Sequence, residues 1–293
     1  MSVEAVVALR SLTKRFGELV AVDSLDLEVM RGEVFGFLGP NGAGKTTTIR
    51  LLLDVLRPTS GRAEVLGGSP RDTGVRARIG FLPAELNLDP RHTVAEALTF
   101  LGALRGGFAE PVVRVLLDRF DLDPTRRIGE LSTGNRRKVG VVQAFAGSAE
   151  LLILDEPTAG LDPLLQHELL TLLEERVDAG ATVLLSSHVL PEVERVADRI
   201  GILRRGRLVA LGTVDAVRAT ARHRIDLHLA EPADAAPFRR LPGVVEAESH
   251  GTVLTLTVEG SLDAVVKRAG QLEVHRIVSH EADLEDAFRE LYR

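Results

Sequence analysis

Short apolar runs alternate along the chain with longer stretches in which apolar residues recur at helical spacing. The runs at Val34–Leu38, 151–154 and 182–185 show no polar alternation and are bounded by glycine or polar residues. Such runs are typical of strands buried on both faces of a parallel sheet. The stretches 161–177 and 190–200 predict helices that cover this sheet. The pattern therefore predicts an α/β fold.

The periodicity changes twice along the chain. Between residues 89 and 127 the strand signal fades, and helical spacing predicts a helical insertion. After a closing strand in GRLVALGT, the strand candidates HRIDLHL, VVEAESH, TVLTLTV and EVHRIVS alternate with helical stretches at 233–240 and 262–269. This order predicts a small α+β appendage, β-α-β-β-α-β, of the ferredoxin-like kind. The segment LEDAFRELYR at 284–293 predicts a terminal amphipathic helix.

The composition suits a globular protein and narrows its chemistry. The 293 residues are 45% hydrophobic, which is enough to bury a sizeable core in one large or two modest domains. The net charge of −6 disfavours a surface that grips nucleic acid throughout. The lack of cysteine excludes disulfides, zinc-thiolate sites and cysteine nucleophiles. With neither a signal peptide nor a membrane helix in the sequence pattern, we expect a cytoplasmic chain.

The clearest chemical motif is GPNGAGKT, which has the spacing G-x-x-x-x-G-K-[ST]. It follows the strand VFGFL and opens the helical run TTTIRLLLDVL, the context that a phosphate-binding loop requires. The glycines allow backbone N–H groups to turn toward an anion at the helix N-terminus. Lys45 is predicted to reach the β and γ phosphates, and the Thr46 hydroxyl to bind Mg²⁺. The predicted ATP-binding residues here are Gly39, Pro40, Asn41, Gly42, Ala43, Gly44, Lys45, Thr46 and Thr47.

Two further strand ends carry candidate catalytic groups. The run LLILDEP ends in Asp155 and Glu156, and ligands of open parallel sheets lie at the carboxyl ends of strands. Asp155 is therefore predicted to face the Mg²⁺, and Glu156 to polarise an attacking water. His188 ends TVLLSSH in the same way and is predicted to contact the γ phosphate. The alternatives are exposed acids at a strand end and an ordinary surface histidine.

In this order the motifs resemble the ATP-binding subunit of an ATP-binding cassette (ABC) transporter, over about residues 6–214. GPNGAGKT matches Walker A, LLILDEP matches Walker B with its glutamate, AGLD matches the D-loop and SSH carries the switch histidine. LSTGN, at 131–135, takes the place of the family signature, usually LSGGQ. The resemblance implies an α/β P-loop NTPase cassette over 1–215, with a mixed-sheet core and a helical subdomain at about 86–140. A C-terminal accessory domain is predicted over 222–293.

The resemblance also implies a site shared between two chains. In this family two cassettes bind head to tail, and ATP is hydrolysed between the Walker motifs of one and the signature of the other. Glu156 and His188 are then implied as catalytic, Thr46 and Asp155 as Mg²⁺ ligands, and Phe16 as the aromatic residue that stacks on adenine. The residues implied to act in trans are Ser132, Thr133, Gly134, Asn135 and Asp162.

Two positions depart from the family pattern. Thr133 replaces a signature glycine, although Ser132 and Gly134 are retained. In IGFLPAELNL, Ala84 stands where a glutamine commonly follows Leu-Pro, and alanine cannot ligate Mg²⁺. Either Glu85 substitutes, through a shifted backbone or a water, or the metal relies on Thr46 and Asp155 alone. Both alternatives are compatible with the sequence.

The stretches GNRRK and LEDAFRELYR resemble cassettes of the exporter class, which pair with a separate permease and move drugs, lipids or polysaccharides. This resemblance implies two partners, an integral-membrane permease and a second ATP-binding subunit. It also implies a location at the inner face of the cell membrane. The alternatives are a cassette ATPase that acts on ribosomes or nucleic acid, and an ATP-binding regulator. Arg136, Arg137 and Lys138 are predicted to form a solvated or acid-paired face rather than a nucleic-acid patch.

Overall fold

The computed structural model of the protein describes residues 4–218, 222–280, 284, 285 and 288. The chain divides into two compact units between Leu211 and Gly212. No helix within the described ranges is both long enough and apolar enough to span a membrane.

The first unit contains nine strands and seven α-helices in its described residues. Its strands are β1 (Ala5–Phe16), β2 (Leu19–Met30), β3 (Val34–Leu38), β4 (Ser60–Val65), β5 (Ile79–Leu82), β6 (Leu151–Asp155), β7 (Thr182–Ser187), β8 (Arg199–Arg204) and β9 (Arg207–Thr213). Its helices are α1 (Lys45–Leu52), α2 (Thr73–Ala77), α3 (Val94–Ala103), α4 (Glu110–Arg119), α5 (Thr133–Phe145), α6 (Pro163–Asp178) and α7 (Leu190–Val196).

Two sheets build this unit. A six-stranded sheet has the order β5-β6-β7-β3-β8-β9, and its pairs from β5 to β8 are parallel. A second, antiparallel sheet has the order β2-β1-β4. The three unalternating runs are buried strands, as predicted, because both faces of the larger sheet are covered. Along β6, Leu152 and Leu154 pack into one core with the helices α5 and α6, whereas Ile153 packs into the other with β1, β2 and α1.

The helical insertion is present as α3 and α4, within the predicted range 89–127. The helix predicted over 190–200 ends earlier, at Val196, and the prediction was wrong for its last turn. The Asp198 carboxylate accepts a hydrogen bond from the Val34 N–H at 2.8 Å, and the Asp198 N–H donates to the Val34 carbonyl. These two bonds begin the pairing of β8 with β3, in which Ile200 lies opposite Gly36.

The second unit follows the predicted alternation of strands and helices. It contains α8 (Val214–Arg218), β10 (His223–Leu229), α9 (Ala236–Arg239), β11 (Val244–His250), β12 (Val253–Val258), α10 (Asp263–Ala269) and β13 (Val274–His280). The sheet order is β11-β12-β10-β13, with every pair antiparallel. Phe238 packs with Leu227 and Leu254 in its core. Of the terminal helix predicted at 284–293, most residues lie outside the described ones.

Candidate active site

The loop GPNGAGKT connects β3 to α1. Gly44 begins the helix with φ 111°, and a Cβ there would lie 2.5 Å from the Ala21 carbonyl oxygen. Gly42 also has a positive φ, 79°. Only glycine adopts these conformations without cost, so the loop needs its glycines for backbone reasons. The N-terminus of α1 has no side-chain cap, and its first N–H groups are available to an anion.

Lys45 is buried at the start of α1, with 5% of its surface exposed. Its Nζ donates to the carbonyl oxygen of Gly39 and lies 3.3 Å from Glu156 Oε1. A buried ammonium requires such oxygen partners because burial removes its water. The contacts hold the positive charge inside the loop, where phosphate oxygens would bind.

Asp155 ends β6 and Glu156 follows it, and the two acids occupy different environments. Asp155 is 1% exposed, and its Oδ1 accepts a hydrogen bond from Ser186 Oγ at 2.5 Å. Glu156 has φ 49°, in the left-handed region that residues with a Cβ rarely adopt. Its N–H donates to the carbonyl oxygen of Ser186 at 3.0 Å. The neighbouring strand β7 therefore orients both acids.

The predicted catalytic groups lie together. His188 follows β7, and its Nδ1 lies 2.7 Å from Glu156 Oε2, while the other Glu156 oxygen faces Lys45. The imidazole is about half exposed, whereas Glu156 is only 16% exposed. A carboxylate that contacts both an ammonium and an imidazole is held in one orientation, so the three side chains form a single polar cluster.

The signature residues lie at the start of α5. Ser132 caps this helix, and its Oγ accepts from the Asn135 N–H at 3.2 Å. A Cβ on Gly134 would lie 3.0 Å from the Gly160 carbonyl oxygen, so the D-loop approaches closely there. Ser132 and Thr133 are exposed. Within the described part of the chain, no hydrogen bond or ion pair joins the signature to the Lys45–Glu156–His188 cluster.

Arg137 is the functional candidate that the sequence reasoning missed. It was predicted on a solvated or acid-paired face, yet it is 5% exposed, and Lys138 is buried as well; only Arg136 is exposed. Burial lowers the pKa of the Arg137 guanidinium to about 10, although the Asp155 and Glu156 carboxylates oppose this shift. The available signal was its spacing of four and eight residues from the apolar Val141 and Phe145.

Comparisons with known proteins identify the family of the chain. A family profile described as ABC transporter matches residues 22–159. The Nod factor export ATP-binding protein I of Paraburkholderia xenovorans is 36% identical over 298 residues, 98% of this chain and 97% of its own length. The chain belongs to the ABC transporter ATP-binding family. A daunorubicin resistance ATP-binding protein of Streptomyces coeruleorubidus is 41% identical over 236 residues, 78% of this chain and 75% of its own.

Solved structures agree on the fold of this ABC subunit. The structure of an ATP-binding subunit of an ABC transporter has a TM-score of 0.68 and 32% identity, covering 73% of this chain and 92% of its own. A dimeric, post-hydrolysis cassette bound to ADP and Pi shares the fold, with a TM-score of 0.65 and 24% identity over 71% of this chain and 98% of its own. Subunits of this family bind ATP and hydrolyse it to drive transport across a membrane, and this is the activity of the chain.

Four other positions considered in the sequence of the ABC subunit lie on its surface. Phe16 ends β1 and is 46% exposed, with Lys14 Nζ 5.0 Å from the centre of its ring. Asp162 caps α6, where its carboxylate accepts from the Leu164 and Leu165 N–H groups at 3.1 Å. Ala84 and Glu85 are exposed beyond the end of β5. The Ala84 carbonyl accepts from Arg137 at 3.0 Å, so this segment contacts the site through its backbone.

Proposed function

We propose that the chain is the ATPase subunit of an exporter, and that it works as an ATP-dependent homodimer on a separate permease. The observation that carries this proposal is the convergence of Lys45, Glu156 and His188 at the ends of the phosphate loop, β6 and β7. The names of the relatives, Nod factor export and daunorubicin resistance, support export as the direction of transport.

The three side chains have distinct roles in this proposal. Lys45 Nζ exchanges its contact with Glu156 for oxygens of the β and γ phosphates, which neutralises their charge. Glu156, released from Lys45, accepts a proton from the attacking water. His188 keeps the Glu156 carboxylate in place and contacts the γ phosphate. Backbone N–H groups of the segment 41–47 hold the remaining phosphate oxygens.

The donor set beside this cluster fits Mg²⁺. Thr46 contributes a hydroxyl at the start of α1, and Asp155 contributes a carboxylate with one oxygen oriented by Ser186. Hard oxygen ligands of this kind, completed by phosphate oxygens and water, are those that Mg²⁺ prefers. Bound Mg²⁺ would supply positive charge to the β and γ phosphates. Glu85 is exposed and has no hydrogen bond to this group in the described contacts, which favours Thr46 and Asp155 as the protein ligands.

The second half of the site comes from the other copy of the chain. Ser132 Oγ and the Gly134 N–H, at the exposed start of α5, contact the γ phosphate bound by the partner copy, with the helix N-terminus favouring the anion. Thr133 and Asn135 lie beside them, and Asp162 contacts the partner copy from the D-loop. Phe16, at the end of β1, stacks on the adenine.

We assign the ATP-binding domain to residues 1–215 and an accessory domain to 222–293. The order of elements in the second unit and its sheet order, β11-β12-β10-β13, support a ferredoxin-like topology for this accessory domain.

The permease is proposed to dock beside the helical insertion, which places the subunit at the inner face of the cell membrane. A groove of about 460 Å³ lies there, and its apolar lining includes Phe81 of β5, Leu86 beyond β5 and Leu104 at the end of α3. Phe100 on α3 is 57% exposed, and Leu104, which follows α3, is 69% exposed. Exposed apolar side chains beside a groove are typical of a protein interface.

A pull-down tests the permease proposal. The tagged chain, extracted with detergent from the cells that encode it, should retain a polypeptide with about six membrane spans, each of about 20 apolar residues. Leu104→Glu should lose this partner while its ATPase activity without permease is unchanged. Val245→Glu, which alters a half-exposed apolar residue in the second unit, is the matched control and should retain the partner. Equal retention by both variants would contradict docking at α3.

A further inference from the structure

Arg137 uses its whole guanidinium on backbone carbonyls from two separate segments. Nη1 donates to the carbonyls of Pro83 and Ala84, just beyond β5. Nη2 donates to those of Asp155 and Glu156, and Nε donates to that of Pro157 at 3.3 Å. All three nitrogens therefore donate to carbonyl oxygens at the carboxyl ends of β5 and β6.

This arrangement satisfies acceptors that the sheet cannot satisfy. The carbonyls beyond the ends of β5 and β6 have left the strand ladders, and buried carbonyls need a donor. The planar, five-donor fork of arginine reaches several oxygens at once, which a lysine ammonium does not do with the same geometry. Gln143, two turns further along α5, donates to the Phe81 carbonyl at 2.5 Å and fixes the same helix against β5.

The contact with Glu156 has a specific consequence. Glu156 has φ 49°, a left-handed conformation that is unfavourable for a residue with a Cβ and persists only where the surroundings impose it. The Glu156 N–H is held by Ser186, at 3.0 Å from its carbonyl oxygen and 3.2 Å from its hydroxyl. The Glu156 carbonyl is held by Arg137 at 2.5 Å. The peptide groups on both sides of Cα are thus fixed, and this directs the carboxylate toward His188 and Lys45.

We propose that Arg137 is a positioning residue for Glu156: its guanidinium, anchored on Pro83 and Ala84, fixes the left-handed backbone from which the Glu156 carboxylate reaches the attacking water. This inference rests on the proposed role of Glu156 as the proton acceptor. Arg137 itself does not touch the substrate. It acts through the backbone of Glu156, so its loss affects the rate of hydrolysis and leaves the phosphate loop intact.

The first experiment compares Arg137→Met and Arg137→Lys with Arg105→Met. Arg105 is the matched control, because it is a partly buried arginine that likewise donates to backbone carbonyls, those of Ile79 and Gln143, without touching residues 155–157. We expect Arg137→Met to lower kcat by about 10- to 100-fold while the Kd of ATP changes by less than about threefold. Arg137→Lys should fall between Arg137→Met and the unaltered chain, and Arg105→Met should keep its kcat.

A double variant separates positioning from a general structural effect. If Arg137 acts through Glu156, adding Arg137→Met to Glu156→Gln should lower the single-turnover rate by less than about twofold further. A further loss equal to that of Arg137→Met alone would overturn the proposal, as would an unchanged kcat in Arg137→Met. If Arg137→Met does not fold, Arg137→Lys is judged alone and in the double variant by the same criteria.

The Glu156→Gln variant tests the proton-accepting role of Glu156 separately from the positioning role of Arg137. If Glu156→Gln alone hydrolyses ATP at the normal rate, the proposed role of Glu156 fails, and the positioning role of Arg137 falls with it. If Glu156→Gln loses hydrolysis and the Arg137 variants do not, only the inference on Arg137 is overturned.

Discussion

Glu156 Oε1 lies 3.3 Å from Lys45 Nζ, so the proposed proton acceptor and the proposed phosphate-binding lysine are each other's ionic partners. In the proposed mechanism, the phosphates of ATP compete with Glu156 for the same ammonium. Displacement of the carboxylate from Lys45 by the phosphates would then make Glu156 available to a water. The other carboxylate oxygen, Glu156 Oε2, lies 2.7 Å from His188 Nδ1, a contact that does not depend on Lys45 and would keep the displaced carboxylate beside the site.

Glu156→Gln should separate binding from hydrolysis. The amide cannot accept the proton, so kcat should fall by about 10²–10⁴-fold. Because the amide also competes less well for Lys45, the affinity for ATP should rise by about fivefold, equivalent to about 1 kcal/mol. A fluorescent ATP analogue measures the affinity, and gel filtration at saturating Mg-ATP should show the dimer. A purely monomeric variant under these conditions would argue strongly against a shared site.

A mixing experiment tests the division of the site between two chains. Lys45→Ala should bind ATP weakly, and Ser132→Ala should bind it but supply a defective signature. In a mixed dimer, one site combines the intact phosphate loop of the Ser132→Ala chain with the intact signature of the Lys45→Ala chain. Random pairing makes half of the dimers mixed, so the mixture should recover about a quarter of the normal ATPase rate.

The control for this experiment mixes Lys45→Ala with Glu156→Gln. Both residues belong to the same half of the site, so each site in a mixed dimer keeps one defect. No recovery is therefore expected, and the ATPase rate should stay at that of the separate variants. Recovery in this control, or none in the Ser132 mixture, would contradict the head-to-tail arrangement.

The parts of the site that lie within local motifs could be predicted from the sequence. The phosphate loop depends on glycine spacing between one strand and the next helix, and Asp155, Glu156 and His188 each follow a short apolar run. Parallel strands then bring such ends to one edge of the sheet. The same reasoning predicted the alternation of strands and helices in the second unit.

The parts that depend on contacts remote in sequence could not be predicted. Arg137 stands among three consecutive basic residues, which is the pattern of a solvated face, and its burial depends on carbonyls at 83–84 and 155–157. Ile200 fits the helical spacing of the preceding residues equally well. Its place in β8 depends on the hydrogen bonds between Asp198 and Val34, more than 160 positions apart.

Phe16→Ala should weaken the binding of ATP specifically through its base. Stacking of a base on an aromatic ring contributes about 1–3 kcal/mol, so the Kd of ATP should rise by about 5- to 150-fold. The affinity for inorganic triphosphate, which lacks a base, should not change. Leu19→Ala is the matched control, since Leu19 pairs with Phe16 in the hairpin and is also exposed. Equal weakening of both ligands in Phe16→Ala would instead indicate a distorted hairpin.

Glu192 predicts a pH-dependent stability. Its Oε2 accepts a hydrogen bond from Thr158 Oγ1 at 2.5 Å. Burial raises the pKa of this carboxyl, and the nearby Glu156 carboxylate raises it further. The hydrogen bond from Thr158 and the nearby His188 lower the pKa and so oppose the shift. Because the pKa is higher in the folded chain, the protonated Glu192 carboxyl makes its full contribution to stability below its pKa in the unfolded chain, about 4.3. This contribution is lost as the pH rises through its pKa in the folded chain.

Glu192→Gln removes this titration while keeping an oxygen that accepts from Thr158. The Tm of Glu192→Gln, measured relative to that of the unaltered chain, should therefore increase between about pH 4 and pH 7, because only the unaltered chain acquires a partly buried charge in this range. Glu64→Gln, at an exposed position on β4, controls for general effects of removing a carboxylate. A Tm difference that is constant with pH would show that the Glu192 carboxyl has the same proton affinity in the folded and unfolded chain.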